Sequence, residues 1–155
     1  MLEEGVLLVE LRDIISENEA PRTSQYQSSN PYLTQFMKNR ILETLSKYWG
    51  YTSFRLFQEE AILSILDECD TLTVLPTGGG KSVCFQLPAL ISDGMAVIIS
   101  PLISLMKDQV DYLKDMGISA ECLNSSLPVK AQHSVMDKIR SGDLKLLYLS
   151  PERLI

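Results

Sequence analysis

A glycine-rich stretch at residues 76–82 constrains this chain more than any other feature. Its residues are Pro76, Thr77, Gly78, Gly79, Gly80, Lys81 and Ser82. It follows an apolar run at 72–75 and precedes a segment with helical spacing, which predicts the order strand, loop, helix. A helix N-terminus presents unpaired N–H groups and partial positive charge, and glycines can wrap phosphate oxygens without a Cβ in the way. The stretch therefore predicts a phosphate site, with Lys81 at the β and γ phosphates and the Ser82 hydroxyl on Mg²⁺.

The stretch departs from the strict phosphate-loop pattern G-x-x-x-x-G-K-[ST] at one position. Leu75 stands where that pattern has its first glycine. The alternative is a glycine turn that happens to precede Lys-Ser. Three successive glycines are costly to order, and the flanking segments supply the expected context, so we favour the phosphate loop.

Composition limits the remaining possibilities. The chain has 155 residues, 45% of them hydrophobic, which is enough for one compact domain with a core. A net charge of −6 argues against a uniformly basic nucleic-acid binder, although 14 Lys and Arg residues leave room for a local basic strip. Three dispersed cysteines and one histidine give no zinc pattern and are typical of a reducing compartment.

Targeting features are absent from the sequence. No segment has the length of uninterrupted apolar residues that a membrane span needs, and the first residues lack the basic region of a signal peptide. We therefore expect no membrane association and an intracellular location, in the cytoplasm or nucleoid of a prokaryote or the nucleus of a eukaryote.

Apolar runs alternate with amphipathic segments, which predicts an α/β fold with a parallel sheet and helices on both faces. The predicted strands are 71–75, 96–100, 120–123 and 144–149. The predicted helices are 32–48, 58–67, 81–90, 102–116 and 129–141, the fourth with a stripe of Leu102, Leu105, Met106, Val110 and Leu113.

The N-terminal region is predicted to lie outside that fold. Residues 6–15 place Leu7 and Leu8 on the apolar face of a helix, and the polar stretch up to Pro31 is typical of a mobile arm. We expect 1–31 to be this helix and arm, and 32–155 to be one nucleotide-binding domain.

Two of the predicted strands end in the same dipeptide. Ser100-Pro101 follows the strand at 96–100, and Ser150-Pro151 follows the strand at 144–149. Proline at a first helical position is a common helix start, so plain helix initiation is the alternative for each. Ligands of parallel sheets bind beyond the carboxyl ends of the strands, where both dipeptides would share an edge with the phosphate loop. This shared edge favours a functional role.

Four segments, taken in order, carry a family resemblance. They are 48–58 (YWGYTSFRLFQ), the loop at 76–82, 100–110 (SPLISLMKDQV) and 146–154 (LLYLSPERL). Together they resemble the first part of the motor core of RecQ-type DNA helicases of superfamily 2, over residues 37–155. The resemblance implies an incomplete RecA-like lobe of an ATP-dependent helicase that unwinds DNA in the 3′-to-5′ sense in repair and recombination. The phosphate loop of that family also lacks the first glycine of the strict pattern, which implies that Leu75 is a normal departure from it.

The resemblance assigns the first segment to adenine recognition. It implies that Tyr51 stacks on the base, that Arg55 lies beside it and that Gln58 bonds the adenine edge. An aromatic ring and a carboxamide suit the π face and the edge of adenine. Core packing is the alternative for Tyr51, and an ordinary polar residue at a helix start is the alternative for Gln58. The implied cofactors are ATP and Mg²⁺, bound by 77–82 with Lys81 as the catalytic residue.

The resemblance also assigns contacts with the backbone of single-stranded DNA. The implied residues are Ser100, Pro101, Leu102, Lys107, Ser150, Pro151 and Arg153. Hydroxyls and amides at helix starts suit phosphate contacts that carry no sequence information, as a translocating motor requires. Lys107 could equally be a solvated helix residue.

Hydrolysis requires an acid that holds Mg²⁺ and a group that orients water. In the resembled family both belong to a D-E-x-H motif that follows the last segment present here. Residues 67–70 (DECD) lie before the phosphate loop, so we interpret them as a solvated acidic helix end. We therefore expect the chain to hold nucleotide but to hydrolyse almost none alone. The alternatives are a stand-alone nucleotide-binding or regulatory module that docks through residues 6–15, and a small P-loop kinase, for which the spacing offers no lid or acceptor site.

Overall fold

The computed structural model of the chain describes residues 7–8 and 31–154, which fall into two compact units. One unit holds residues 31–93, and the other holds 7–8 and 94–154. The helices are α1 (Pro31–Trp49), α2 (Gln58–Leu66), α3 (Lys81–Ile91), α4 (Ile103–Asp115), α5 (Val129–Ser141) and a short 3₁₀ helix (Pro151–Arg153). The strands are β1 (Leu7–Leu8), β2 (Ala96–Ile99), β3 (Ala120–Leu123) and β4 (Leu146–Leu149). None of the helices described has the length and apolar character needed to cross a membrane.

The unit of residues 31–93 is built on three packed helices. Each helix carries apolar residues at the three- and four-residue spacing that lines one face, and the faces meet in a common core. That core consists of Ile41, Leu45, Ile62, Leu63, Val83 and Leu87. The three helices predicted for this region are confirmed, with ends that agree to within one residue.

The strand predicted at 71–75 is wrong, because no residue of this segment lies in a strand. Leu72 is 91% exposed and Val74 is 78% exposed, whereas Leu75 packs with Ala61 and Cys84. An apolar run becomes a strand only when a neighbouring backbone accepts its hydrogen bonds. No strand of the described residues pairs with this segment, and Leu72 and Val74 remain on the surface.

The unit that contains residues 94–154 is built on a sheet in the order β1-β2-β4-β3. Strand β4 is parallel to both of its neighbours, with Leu149 opposite Ile99 on β2 and opposite Leu123 on β3. All four residues of β4 are buried. A continuous apolar run is the expected pattern for a strand that is covered on both faces.

Helices α4 and α5 cover opposite faces of this sheet. Val135 of α5 packs with Leu147 and Leu149 of β4. Tyr148 points the other way along the pleat, and its hydroxyl lies 3.2 Å from Oε1 of Gln109 on α4. The prediction of a parallel sheet with helices on both faces is therefore confirmed for β2, β3 and β4.

Two predictions at the ends of elements are wrong. Leu7 and Leu8, predicted on a helix, instead form an antiparallel pair with Ile99 and Ile98 at the β2 edge of the sheet. The rest of the predicted helix and the predicted arm up to residue 30 lie outside the described residues. Leu102, predicted in the apolar stripe of α4, precedes that helix and is 41% exposed. The remainder of the stripe is confirmed by the burial of Met106, Val110 and Leu113.

Candidate functional site

The glycine loop of the 31–93 unit has a backbone that only glycine adopts easily. Gly78 and Gly80 have φ values of +77° and +76°. The N–H of Gly79 donates to the carbonyl of Pro76 at 2.9 Å, and a Cβ on Gly79 would lie only 2.8 Å from that oxygen. The loop leads directly into α3, whose first turn holds no acidic residue. The partial positive charge of this helix N-terminus is thus not offset by a carboxylate.

Lys81 is the first residue of α3 and is half-buried. Its Nζ donates a hydrogen bond of 2.8 Å to the carbonyl of Leu75, at the start of the loop. The ammonium group is therefore held at the start of the loop, and its contact with phosphate stays a prediction.

Gln58 links the predicted adenine motif to the glycine loop. It is a buried residue and the first of α2, directly after Phe57, which takes a left-handed conformation (φ 66°). Its Oε1 accepts from the backbone N–H of Arg55 at 2.9 Å, and its Nε2 donates to the carbonyls of Gly79 at 3.3 Å and Gly80 at 3.1 Å. These bonds, which we call the Gln58 clamp, hold the loop through the carbonyls of Gly79 and Gly80 and do not involve its N–H groups.

Arg55 and Tyr51 form an exposed pair beside this clamp. The guanidinium carbon of Arg55 lies 5.8 Å from the centre of the Tyr51 ring, within the range of a cation–π contact. The same guanidinium donates to the carbonyl of Gly78. Tyr51 is 49% exposed, so a face of its ring is open for stacking. The structure thus brings Arg55 and Gln58 to the loop and places Tyr51 beside Arg55, whereas the contacts of all three residues with adenine stay predictions.

The other predicted site lies in the second unit, at the carboxyl ends of the sheet strands. The N–H of Ser100 donates to the carbonyl of Leu149 at 3.0 Å, and the N–H of Ser150 donates to that of Leu123 at 3.3 Å. Both serines are nearly fully buried. The hydroxyl of Ser100 accepts from the N–H of Leu102 at 3.3 Å. The sheet therefore places the two Ser-Pro segments at one edge, as the sequence predicted.

The remaining residues predicted at this edge are exposed. They are Pro101, Leu102, Lys107, Pro151 and Arg153. Arg153 donates from Nη2 to Oε1 of Gln132 on α5 at 2.7 Å. Because a neutral amide holds the guanidinium, its position is fixed and its positive charge remains available to an anion.

A third segment at this edge was missed from the sequence. Asn124, which follows β3, is buried, and its Oδ1 accepts from the N–H of Ser126 at 3.0 Å and from the Ser126 hydroxyl at 2.7 Å. The turn at 124–126 lies beside Ser150, since Leu123 pairs with Leu149. The polar run Asn-Ser-Ser directly after a predicted strand could have indicated it.

Glu152 is the acidic residue at this edge. The hydroxyl of Ser150 donates to its Oε1 at 2.6 Å. This bond is the main reason that the pKa of the Glu152 carboxyl lies below its usual value, and its own N–H and the hydroxyl and N–H of Ser125 lower the pKa further. The carboxylate is thus a fully ionised acceptor for donors from two segments.

Cys84 lies next to the glycine loop, with its Sγ 3.9 Å from the carbonyl oxygen of Gly80. The thiol of Cys84 is buried, and the loss of solvent raises its pKa to about 11, so it is a poor nucleophile. Asp67, Glu68 and Asp70 are exposed, as predicted for a solvated helix end. Within residues 7–8 and 31–154, no three His, Cys, Asp or Glu residues come together as a metal site.

Comparison with known families gives a match that covers most of the chain. The family model described as DEAD/DEAH box helicase matches residues 55–155, a range that includes the glycine loop and both Ser-Pro segments. The chain belongs to this helicase family. The matched range starts at Arg55, so Tyr51 lies just before it.

Within the helicases, the similar proteins are of the RecQ type. The ATP-dependent DNA helicase RecQ of Haemophilus influenzae is 50% identical over 127 residues, which cover 81% of this chain and 20% of that protein. RecQ of Synechocystis is 49% identical over 118 residues (76% of this chain, 25% of that protein). The RecQ-like DNA helicase blm-1 of Caenorhabditis elegans is 42% identical over 120 residues (76% and 12%).

These matches confirm the predicted resemblance to the N-terminal motor region of RecQ-type helicases. The chain spans about a fifth of the length of the Haemophilus influenzae RecQ and about a quarter of the length of the Synechocystis RecQ. The roles of its individual residues stay predictions.

Proposed function

We propose that this chain holds the ATP of a RecQ-type DNA helicase and contributes part of its track for single-stranded DNA. The observation that carries the proposal is the clamp of Arg55 and Gln58 on the carbonyls of Gly78, Gly79 and Gly80. It joins the predicted base motif to the predicted phosphate loop. The parent helicase would unwind DNA in the 3′-to-5′ sense during repair and recombination.

The loop suits a nucleoside triphosphate bound with Mg²⁺. Gly78 and Gly80 give the backbone its curvature, and Lys81 supplies the positive charge for the β and γ phosphates. Ser82, the next residue of α3, is the ligand we assign to Mg²⁺. When bound, Mg²⁺ neutralises charge on the phosphates and polarises them. Tyr51 and Arg55 would receive the adenine.

The edge of the parallel sheet suits the sugar–phosphate backbone of DNA. Ser100 and Ser150 contribute polar groups at adjacent strand ends, and Lys107 and Arg153 contribute positive charge. Such contacts are independent of base sequence and weaken as salt rises, because phosphate binding releases counterions.

Calorimetric titration with MgATP tests the nucleotide site. Lys81→Ala should weaken binding at least about tenfold, since it removes a charge-assisted contact to phosphate. Lys130→Ala removes an exposed lysine of α5 and should leave the affinity unchanged. Equal affinities of the wild-type chain and Lys81→Ala would overturn the assignment of the loop.

A turnover assay tests the competence of the 155-residue chain alone. We expect binding with little hydrolysis, because the sequence contains no D-E-x-H motif, which in the resembled family holds Mg²⁺ and orients water. Turnover at ordinary helicase rates, stimulated by single-stranded DNA, would contradict this part of the proposal. Transfer of phosphate from ATP to a small-molecule acceptor, at a rate ordinary for a kinase, would instead favour the P-loop kinase alternative.

A further inference from the structure

Glu152 lies where the track proposed for DNA would carry its phosphates. Its carboxylate accepts from the buried hydroxyl of Ser150 at 2.6 Å. Ser125, in the turn after the neighbouring strand, faces the same carboxylate with its hydroxyl and its N–H. The pairing of Leu123 with Leu149 sets the two serines side by side. Donors from two strand ends therefore converge on one anionic group of the protein itself.

A carboxylate and a phosphate accept hydrogen bonds from the same donors. Hydroxyls and backbone N–H groups make most protein contacts with nucleic-acid phosphates. The donors that converge on Glu152 therefore form a position for an anion, with the carboxylate as its present occupant. Arg153, held by Gln132 at 2.7 Å, adds a positive charge next to this position in sequence.

We propose that Glu152 is an internal competitor that covers a phosphate position formed by Ser125 and Ser150. A backbone phosphate of single-stranded nucleic acid takes this position when the Glu152 side chain turns away. The inference rests on the proposed DNA function of this edge and adds Ser125, which the sequence did not indicate, to the contact residues.

The exposure of the three residues fits such an exchange. Ser150 is 1% exposed, and its hydroxyl is bonded to Glu152, so the hydroxyl can donate to a ligand only after that bond breaks. Glu152 itself is exposed, so its side chain can change rotamer without disturbing the core. Displacing the carboxylate gives up a charge-assisted hydrogen bond, which lowers the net affinity for DNA. Release of a phosphate is correspondingly easier, as stepping along a strand requires.

The test measures binding of a fluorescent oligo(dT) to the 155-residue chain by anisotropy at low salt. Glu152→Gln should bind about three- to tenfold tighter than wild type, because a neutral amide competes less well for the serine donors. Asp115→Asn removes one exposed carboxylate at the far end of α4 and controls for net charge. Thermal melting of each variant confirms that the chain remains folded.

Ser125→Ala combined with Glu152→Gln separates competition from simple charge repulsion. The double variant should lose the gain and return to about wild-type affinity. Glu152→Gln binding that is unchanged, weaker, or matched by Asp115→Asn would overturn the inference, as would a double variant that keeps the full gain.

Arg153→Ala distinguishes failure of the inference from failure of the proposed function. If Arg153→Ala weakens binding but Glu152→Gln does not strengthen it, the DNA interface stands and the competitor role fails. If no variant and no wild-type chain binds oligo(dT), both the interface and the inference are overturned. MgATP binding is independent of either result.

Discussion

At the scale of single residues, the three glycines of the loop are required for different reasons. Gly78 needs a left-handed φ but has open space around it, whereas Gly79 needs room next to the carbonyl of Pro76. Gly80 needs both a left-handed φ and free space, since its φ is +76° and a Cβ would collide with Nε2 of Gln58. The clamp that Gln58 forms is therefore possible only with glycine at position 80.

Gly80→Ala should destabilise the 31–93 unit by about 2–4 kcal/mol, the sum of left-handed strain and a steric clash in a packed site. It should also abolish MgATP binding, because Gln58 must leave the loop. Urea unfolding and calorimetric titration measure the two effects.

Gly50→Ala is the matched control in the same unit. Gly50 also has a left-handed φ, +71°, but nothing lies within 4 Å of a Cβ there. Its loss of stability should be limited to about 1 kcal/mol from backbone strain, with MgATP binding preserved. Equal losses in the two variants would show that the Gln58 contact does not constrain position 80.

At the scale of elements, Glu121 connects three of them in the second unit. It lies on β3 and pairs with Lys114 of α4 at 2.8 Å and with Lys138 of α5 at 2.6 Å. Burial of the carboxyl raises its pKa, but the hydrogen bonds and charges of Lys114 and Lys138 outweigh this and hold the pKa below its usual 4.5. The ion pairs therefore stabilise the fold when Glu121 is ionised.

Glu121→Gln should lower the free energy of unfolding at pH 7 by about 1 kcal/mol, a value that allows for partial solvent screening of the lysines. The folded-state pKa is depressed, so this stability is present above the unfolded pKa and is lost as pH falls through the folded pKa. Wild type and variant should therefore converge once the pH falls below the depressed pKa of Glu121 in the folded state. Urea unfolding at pH 7 and in mild acid measures this.

Asp137→Asn serves as the control for Glu121→Gln. Asp137 pairs with Arg140 within α5, but both side chains are more than 70% exposed, so the change should be nearly neutral at both pH values. A gap between wild type and Glu121→Gln that persists in acid would show that the glutamate acts through packing and not through charge.

The elements that were predicted well from the sequence are those whose formation depends on neighbouring residues in the chain. Helices α1 to α5 follow from three- and four-residue spacing of apolar side chains, and that spacing needs no distant partner. Strand assignment at 71–75 failed because pairing is a property of two segments, and an apolar run does not show which backbone will meet it. Leu7 and Leu8 failed for the same reason, since two adjacent leucines fit a helix face or a strand end equally.

The candidate site residues also divide into those indicated by local sequence and those that depend on distant partners. The loop at 76–82 and the Ser-Pro segments could be predicted as candidate sites because their residue types and order indicate the chemistry. The turn of Asn124 and Ser125 was missed because it resembles any polar turn until β3 is placed beside β4. The bonds of Gln58 to the loop carbonyls depend on a fold that brings residue 58 to residues 79 and 80, which no local pattern shows.

At the scale of the whole molecule, the unpaired segment at 71–75 presents an apolar surface. Leu72 and Val74 are among the most exposed large apolar side chains of the described residues. They border a groove of about 420 Å³ that α2 and the following turn also line. Exposed apolar residues next to unpaired backbone favour association between copies.

The chain should self-associate as its concentration rises, and Leu72→Lys combined with Val74→Lys should shift it towards the monomer by placing like charges on the contact surface. Sedimentation velocity over a concentration series measures this. Val129→Lys changes another exposed apolar residue, at the start of α5, and should leave association unchanged. A wild-type chain that stays monomeric at high concentration would contradict the prediction.

The central position of strand β4 should also affect how fast its backbone amides exchange with solvent. It is flanked on both sides by parallel partners and covered by side chains on both faces, so its amides reach solvent only when the sheet opens as a whole. In heavy water, the backbone amides of Leu147 and Tyr148 should therefore be among the last of this unit to exchange their hydrogens. Those of the turn at 124–126, where nucleic acid is proposed to bind, should exchange early. Amide exchange would thus show a rigid frame directly beside an edge that can rearrange.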